Sequence, residues 1–298
     1  MALACLLGAA CLETNIDSPG TGSGGTVLFA SNREDARNFE LYRISGDGKG
    51  LSRLTFDPQH NDLGPVMSPD GHLVAWEREN PSASGGVESV EIWMMNSDGS
   101  SGRALIANGS FNRSPTWLAG GKALAYASFV SGNWEIYRIP LDGGEPVNLT
   151  RNQYADQHPR ASPDGNTIAF DTNRDFNFEI YLMDSDGGRQ RNLTQAFSVD
   201  DRFPAWTPDG SQVLWSHGTD TFDIYAIGAD GSDPHAVVAS PFSESHPSVS
   251  PDGHLVVFQT DQAPPFGLFV APMAGGDAHP LGVDPVKHGS DIEPNWHP

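Results

Sequence analysis

The sequence predicts an all-β chain folded as a six-bladed β-propeller, with four antiparallel strands per blade and the ring closed by the C-terminal strand joining the N-terminal blade. Three observations predict it. A turn motif recurs at blade-length spacing, a column of aromatic strands follows it at fixed offset, and the chain starts and stops at the same point of the repeat.

The turn is Ser68-Pro69-Asp70-Gly71, repeated as Ser162–Gly165, Thr207–Gly210 and Ser250–Gly253, with Ala119-Gly120-Gly121-Lys122 as a degenerate copy. An apolar run ending near an aromatic follows each one: Leu73-Val74-Ala75-Trp76, Ile168-Ala169-Phe170, Val213-Leu214-Trp215, Val256-Val257-Phe258. Val27-Leu28-Phe29 follows Gly24 in the same register. Successive glycines at 24, 71, 121, 165, 210 and 253 lie 47, 50, 44, 45 and 43 apart. That period belongs to four-stranded propeller blades.

The third strand of each blade is read from Glu40-Leu41-Tyr42, Glu91-Ile92-Trp93, Glu135-Ile136-Tyr137, Glu179-Ile180-Tyr181, Asp223-Ile224-Tyr225 and Gly267-Leu268-Phe269. Turns follow at a constant offset: Asp47-Gly48, Asp98-Gly99, Asp142-Gly143, Asp186-Gly187, Asp230-Gly231 and Ala274-Gly275. Asp-Gly accepts the positive φ of a tight hairpin, so these runs pair. Short fourth runs come next, such as Arg53-Leu54-Thr55, Asn148-Leu149-Thr150 and Asn192-Leu193-Thr194. At the end, Pro298 aligns with the Pro of the turn motif while Gly24 aligns with its Gly, so Pro294-Asn295-Trp296 is expected to complete the first blade as its innermost strand. Such closure leaves only short, protected edges.

Composition agrees with many short strands. Of 298 residues, 33 are Gly and 23 Pro, and no stretch carries sustained helical periodicity with caps. The net charge of −21 argues against nucleic acid, whose phosphates demand clustered Lys and Arg. Some of that charge is expected to be structural, because turn Asp side chains bond nearby backbone. The rest favours cationic partners or divalent metals, or serves solubility.

Both cysteines, Cys5 and Cys11, fall in the first dozen residues, so no thiol is available to the body of the protein. Residues 1–11 are apolar, too short to span a membrane, and end in Leu7-Gly8-Ala9-Ala10-Cys11. This resembles a bacterial lipobox, with Gly8 where Leu is usual. The segment reads as part of a signal peptide with Cys11 as the lipidation site, residues 12–23 as a flexible tether, and 24–298 as the propeller. A periplasmic or outer-membrane-anchored location is the corresponding expectation.

Pro-x-Trp-Ser/Thr-Pro-Asp-Gly, the Ile-Ala-Phe-like strand, Ser31-Asn32-Arg33 and Thr172-Asn173-Arg174, Glu-Ile-Tyr and Asn-Leu-Thr together resemble the TolB-type propeller repeat, from residue 24 to 298. TolB itself carries an α/β domain ahead of its propeller, for which this sequence has too few residues. The resemblance implies a fold, and a binding role for proteins or extended peptides at the channel mouth; a basic peptide would suit an acidic rim.

Loops alternate faces along a blade. The Ser-Pro-Asp-Gly and Asp-Gly turns share one, here the turn face; the Asn-Arg loops and the entries to the innermost strands share the other, the loop face. Three residues before each entry Pro stand Asp62, Asn112, Asp156, Asp201, Glu244 and Asp291. Immediately before the Pro stand Gly64, Ser114, His158, Phe203, His246 and Glu293, with Arg113 and Arg202 between the two columns. The candidate ligand-binding set at the channel mouth is therefore Asp62, Arg113, Asp156, His158, Asp201, Arg202, Glu244, His246, Asp291 and Glu293. An acid at a repeat position is ordinarily architectural, capping a turn or a neighbouring blade. Blade-specific His158, His246, Glu293, Arg113 and Arg202 are departures that architecture does not require. Two His among carboxylates suit a divalent metal in the channel.

No catalytic residue is assigned. There is no Gly-x-Ser-x-Gly elbow, EF-hand loop or phosphate loop. Trp117, Trp206 and Trp296 read as core, Trp134 and Phe178 as contact residues, and Asn80 to Glu88 as a loop free for function or disordered. The leading expectation is a monomeric, exported binding or scaffold module for a protein or peptide, touching membrane only through a lipid anchor. The alternative is a metal-dependent lyase on uronate polymers, with His158 or His246 as base and Arg113 or Arg202 neutralising a carboxylate.

Overall fold

The computed structural model describes residues 24–195, 198–262, 266–282 and 289–298. The segments 1–11 and 12–23, and with them Cys11, lie outside these residues.

Six four-stranded antiparallel sheets form the ring. Blade 1 holds β1 (Thr26–Ser31), β2 (Glu40–Ser45) and β3 (Ser52–Arg53). Blade 2 is β4 (Asn61–Met67), β5 (Leu73–Pro81), β6 (Val87–Asn96) and β7 (Arg103–Ile106). Blade 3 is β8 (Asn112–Trp117), β9 (Ala123–Ser128), β10 (Glu135–Pro140) and β11 (Val147–Asn148). Blade 4 is β12 (Asp156–Ala161), β13 (Thr167–Thr172), β14 (Glu179–Asp184) and β15 (Arg191–Asn192). Blade 5 is β16 (Asp200–Trp206), β17 (Gln212–Gly218), β18 (Phe222–Gly228) and β19 (His235–Val238). Blade 6 is β20 (Glu244–Val249), β21 (Leu255–Thr260), β22 (Gly267–Pro272) and β23 (His279–Pro280). The last strand, β24 (Asp291–His297), pairs antiparallel with β1, setting Thr26 opposite His297 and Ser31 opposite Asp291. The ring closes as the repeat demands. Among the described residues no helix is long and apolar enough to cross a membrane.

The two aromatic columns of the sequence are cross-strand partners. Phe29 faces Tyr42, Trp76 faces Trp93, Tyr126 faces Tyr137, Phe170 faces Tyr181, Trp215 faces Tyr225 and Phe258 faces Phe269. In the first five pairs the ring centroids lie 5.8–6.0 Å apart, the range in which aromatic pairs attract beyond their buried area. Apolar residues between blades complete the core: Val27, Phe29 and Ile44 of blade 1 pack on Val257, Leu268 and Val270 of blade 6.

The Thr of each Asn-Leu-Thr run has a precise use. Thr150 Oγ1 accepts from Ile136 N at 3.0 Å and donates to Glu135, and Thr194 repeats this with Ile180 N and Glu179. The recurring Glu-Ile-Tyr glutamates, Glu135 and Glu179, are thus internal supports.

At the turn face, Ser68 Oγ donates to Asp70 at 2.6 Å and accepts from Leu73 N, while Gly71 takes φ 74°. A neighbouring Ser or Thr hydroxyl holds Asp47, Asp70, Asp98, Asp164, Asp209, Asp230 and Asp252 below the usual carboxylate range. Seven negative charges are therefore turn architecture.

Asn80 to Glu88 differs from the expected free loop. β5 and β6 run on past the neighbouring blades' length, pairing as far as Pro81 with Val87 around a short Ser82–Gly86 turn. Polar residues such as Asn80 and Ser89 bond across the ladder at 3.0 Å, so a polar stretch makes a hairpin rather than a loop.

Candidate functional site

Every innermost strand enters through a bulge. The ladder register shifts at Leu63/Val66, Arg113/Thr116, Gln157/Arg160, Arg202/Ala205 and Ser245/Ser248, and β24 skips a step against Leu28/Ala30. Proline has no N–H for the ladder and is tolerated at bulges, so the entry Pro sets its position. The residue before it turns left-handed in all six blades: Gly64, Ser114, His158, Phe203, His246 and Glu293 have φ of 55°, 53°, 46°, 56°, 54° and 54°. For a non-glycine residue this conformation costs about 1–2 kcal/mol, and such strain gathers where a side chain must be aimed. Here it is aimed at the axis. These six residues line the channel with Glu77, Arg113 and Arg160, around a cavity of about 70 Å³.

Four of these left-handed N–H groups are held by the preceding blade. Glu77 Oε1 accepts from Ser114 N at 2.7 Å, Asp171 Oδ2 from Phe203 N at 3.1 Å, and Gln259 Oε1 from Glu293 N at 2.9 Å. Glu293 in turn accepts from Gly64 N at 2.7 Å. His158 Nδ1 meets Asp171 Oδ2 at 2.7 Å, and the Phe203 ring lies between the two histidines, 4.4 Å from His158 and 3.8 Å from His246. Burial pushes His246 well below the usual imidazole range, so it is neutral at neutral pH. Burial, reinforced by the Glu77 carboxylate, pushes Glu293 up to about 7; burial also raises Glu77.

The structure separates nine of the ten candidate residues into two groups, with Arg202 apart from both. Arg113, His158, His246 and Glu293 meet at the channel. Asp62, Asp156, Asp201, Glu244 and Asp291 stand behind its wall, buried and internally bonded. Asp62 accepts from Trp76 Nε1 at 2.8 Å and from Arg78 Nε and Nη2 at 2.8 and 2.9 Å. Asp156 binds Arg174 Nη2 at 2.8 Å, and Asp291 binds Arg33 Nη2 at 2.6 Å. Arg33, Arg78 and Arg174 then stack over Tyr42, Trp93 and Tyr181 at 4.8, 4.2 and 4.6 Å. In blade 5, His217 takes the arginine's place, its Nδ1 2.6 Å from Asp201 and its ring 4.5 Å from Tyr225. Acid, cation and aromatic ring form one repeated device, which explains both the acidic column and the Asn-Arg motif. Glu244 departs from it: Ser240 Oγ donates to it at 2.5 Å, and burial raises it to about 7.

Arg113 is bonded to Glu77 at 3.2 Å and Glu79 at 2.8 Å. Arg202 donates to Gln157 at 3.0 Å and lies 3.9 Å over the Phe178 ring. Glu77, Asp171, Phe203 and Arg160 complete the site; sequence reasoning passed over the first two because they sit mid-strand, directly after the apolar runs that end in Trp76 and Phe170. Among the described residues, no three His, Cys, Asp or Glu groups converge to hold a metal ion.

The Glu293 proton gives a pH signature. A folded pKa above the unfolded value means the folded state binds the extra proton between about 4.5 and about 7. Stability from this group is present below that window and lost as pH rises through it. Glu293→Gln should flatten the fall, changing the slope by up to about 1.4 kcal/mol per pH unit, the one-proton limit. Urea melts of both proteins at pH 5 and pH 7.5 measure it; parallel slopes would contradict it.

Around the channel mouth, the loop face is apolar. Phe56 and Phe176 are 71% and 105% exposed, and Phe129, Tyr154, Phe242 and Phe266 are also exposed. All six lie in loop-face connections. Trp134 packs edge-on against Phe129, with centroids 5.6 Å apart. Exposed Asp35, Glu88, Asp220 and Asp261 on this face outnumber exposed Arg37 and Arg151.

Comparison with known proteins places this geometry. The TolB beta propeller domain family model matches residues 80–298. Dipeptidyl-peptidase 5 of Porphyromonas endodontalis is 31% identical over 77 residues, which are 26% of this chain and 11% of that protein's length. TolB from Acinetobacter baumannii superposes with a TM-score of 0.79 at 20% identity, over 93% of this chain and 68% of that one. Oligogalacturonate lyase from Vibrio parahaemolyticus reaches a TM-score of 0.58 at 17% identity, over 85% and 73% of the two chains. At these identities the solved structures show the shared fold. With the family model covering most of its length, this chain belongs to the TolB β-propeller family.

Proposed function

We propose that the protein is an exported binding or scaffold module of the bacterial envelope, held there through lipid on Cys11, which docks a basic and partly apolar protein segment or extended peptide on its loop face. The observation that carries this reading is the concentration of exposed aromatic residues on that one face, over a mouth whose exposed charge is acidic. Exposed aromatics in such numbers mark interaction surfaces, because they give much contact area with little side-chain entropy to lose. The acidic rim steers a cationic partner toward it. The cavity of about 70 Å³ is far below the several hundred Å³ of small-molecule sites, which supports docking across the mouth over chemistry within it. The lyase alternative is further disfavoured by the engagement of its candidate groups: both arginines have partners, and His158 is anchored to Asp171.

The test is fluorescence-polarisation titration with extended decapeptides carrying Lys, Arg and aromatic residues, against charge-reversed counterparts. Wild type should prefer the basic set, and Phe56→Ser with Phe176→Ser should weaken binding tenfold or more while the melting temperature stays within a degree or two. Equal binding of both peptide sets, or no effect of the double substitution, would reject the reading. Labelled palmitate incorporated by wild type and absent from Cys11→Ser tests the anchor separately.

A further inference from the structure

The opposite face carries a different cavity. The turn-face ends of the innermost strands form a funnel of about 350 Å³, walled by Trp117, Trp206, Trp296, Pro163, Pro208 and Pro251. Its volume lies within the range of small-molecule sites. Arg160 lines both this funnel and the narrow channel beyond, and so forms the floor between them.

Arg160 is a departure from the repeat. The residue after the entry Pro is Val66 in blade 2, Thr116 in blade 3, Ala205 in blade 5, Ser248 in blade 6 and Asn295 in blade 1. Blade architecture is met by neutral side chains in five blades; the sixth holds a cation on the axis. Other inward arginines, Arg33, Arg78, Arg113 and Arg174, each hold a carboxylate within 3.2 Å. Arg160 makes no ion pair among the described residues, where its guanidinium donates through Nη1 to Pro159 O at 3.5 Å. Glu293 and Glu77 act on it only from a distance, and burial lowers its pKa. A guanidinium in such surroundings gains most from a carboxylate that can accept two of its parallel N–H bonds.

Further donors stand in the same layer. Thr116 Oγ1 accepts from Ala161 N at 3.0 Å, and Ser248 Oγ accepts from Trp296 N at 2.8 Å, which leaves each hydroxyl proton to donate. Asn295 Oδ1 accepts from Met67 N at 3.4 Å, leaving its amide N–H groups. Around the rim, the turn carboxylates Asp70, Asp164, Asp209 and Asp252 are held ionised by their own turns. They oppose a second negative charge on any ligand.

We propose that this funnel binds a small monocarboxylic acid with an apolar, preferably aromatic, body. The carboxylate sits on the Arg160 guanidinium and the Thr116 and Ser248 hydroxyls; the body lies against the tryptophans and prolines of the wall. The site is separate from the loop-face docking surface and does not depend on it.

Calorimetric titration and thermal melting with indole-3-acetate test this, with indole-3-acetamide as the isosteric neutral control and phenylsuccinate as the dianion. The acid is expected to bind saturably and raise the melting temperature, with the amide and the dianion tenfold or more weaker. Arg160→Met should remove the preference for acid over amide, and Arg160→Lys should retain it in part. Phe56→Ser with Phe176→Ser, on the other face, should leave it unchanged. Equal affinity of acid and amide for the wild-type protein overturns the proposal without any variant. So does no binding at the solubility limit of the acid, or an Arg160→Met protein that still discriminates.

Discussion

Asp62→Ala is expected to destabilise the protein by about 3–5 kcal/mol, the range for removing one partner of a buried ion pair. Asp62 is fully buried and joins Trp76 Nε1 to Arg78, whose guanidinium is itself sandwiched on Trp93. Its loss leaves a cation and an indole N–H without their acceptor, in a place water reaches poorly. Asp57, 3.3 Å from Arg78, recovers some of the loss. Adding Arg78→Ala should therefore cost less than the sum of the two single changes. Chemical denaturation of the four proteins of this cycle measures the coupling. Additive effects would mean that the acid, cation and ring do not act as a unit.

Gly165→Ala is the second large effect, at about 2–5 kcal/mol. Gly165 has φ 68°, and a Cβ there would lie 2.1 Å from Ala119 N in the preceding blade. Left-handed strain contributes about 1–2 kcal/mol and the forced backbone shift about 1–3 more. Gly253 is the control: it has φ 76°, yet its Cβ would meet nothing within 4 Å. Gly253→Ala should show the strain alone, about 1–2 kcal/mol. A difference of less than about 1 kcal/mol between the two variants would mean that blade 3 yields at Ala119, with no rigid contact there.

The fold was legible because its signals are local and repeated. Asp-Gly turns, period-2 runs and aromatic columns each report on neighbours within one hairpin, and six copies average out the degenerate one at Ala119-Gly120-Gly121. Even closure was readable, since Pro294-Asn295-Trp296 repeats the entry of an innermost strand, and Val27-Leu28-Phe29 lacks one of its own. The site was legible only as columns. Sequence placed Asp62 and His158 two steps apart on the same motif, but their roles diverge in the third dimension. Side chains alternate along a strand, and the bulge before Pro resets which residue faces the axis. Asp62 thus faces an arginine from its own blade, while His158 faces the channel. Arg160 stands out in the sequence as the one cation in its column, but its lack of a carboxylate partner is revealed only by the packed ring.

The pairing of β24 with β1 makes the order of synthesis matter. Val27, Leu28 and Phe29 leave the ribosome before blades 2 to 6, yet the partners Trp296 and Asn295 follow those blades. Blades 2 to 6 can assemble as they emerge, but the first blade must wait with one flank of an apolar strand open until β24 has emerged. Contacts this distant in sequence close slowly, and an open edge recruits other chains meanwhile. The vulnerable interval in the life of this protein therefore runs from the emergence of blade 1 to the emergence of β24. A holding chaperone would act on it there, and a pause in translation ahead of β24 would lengthen its exposure to aggregation.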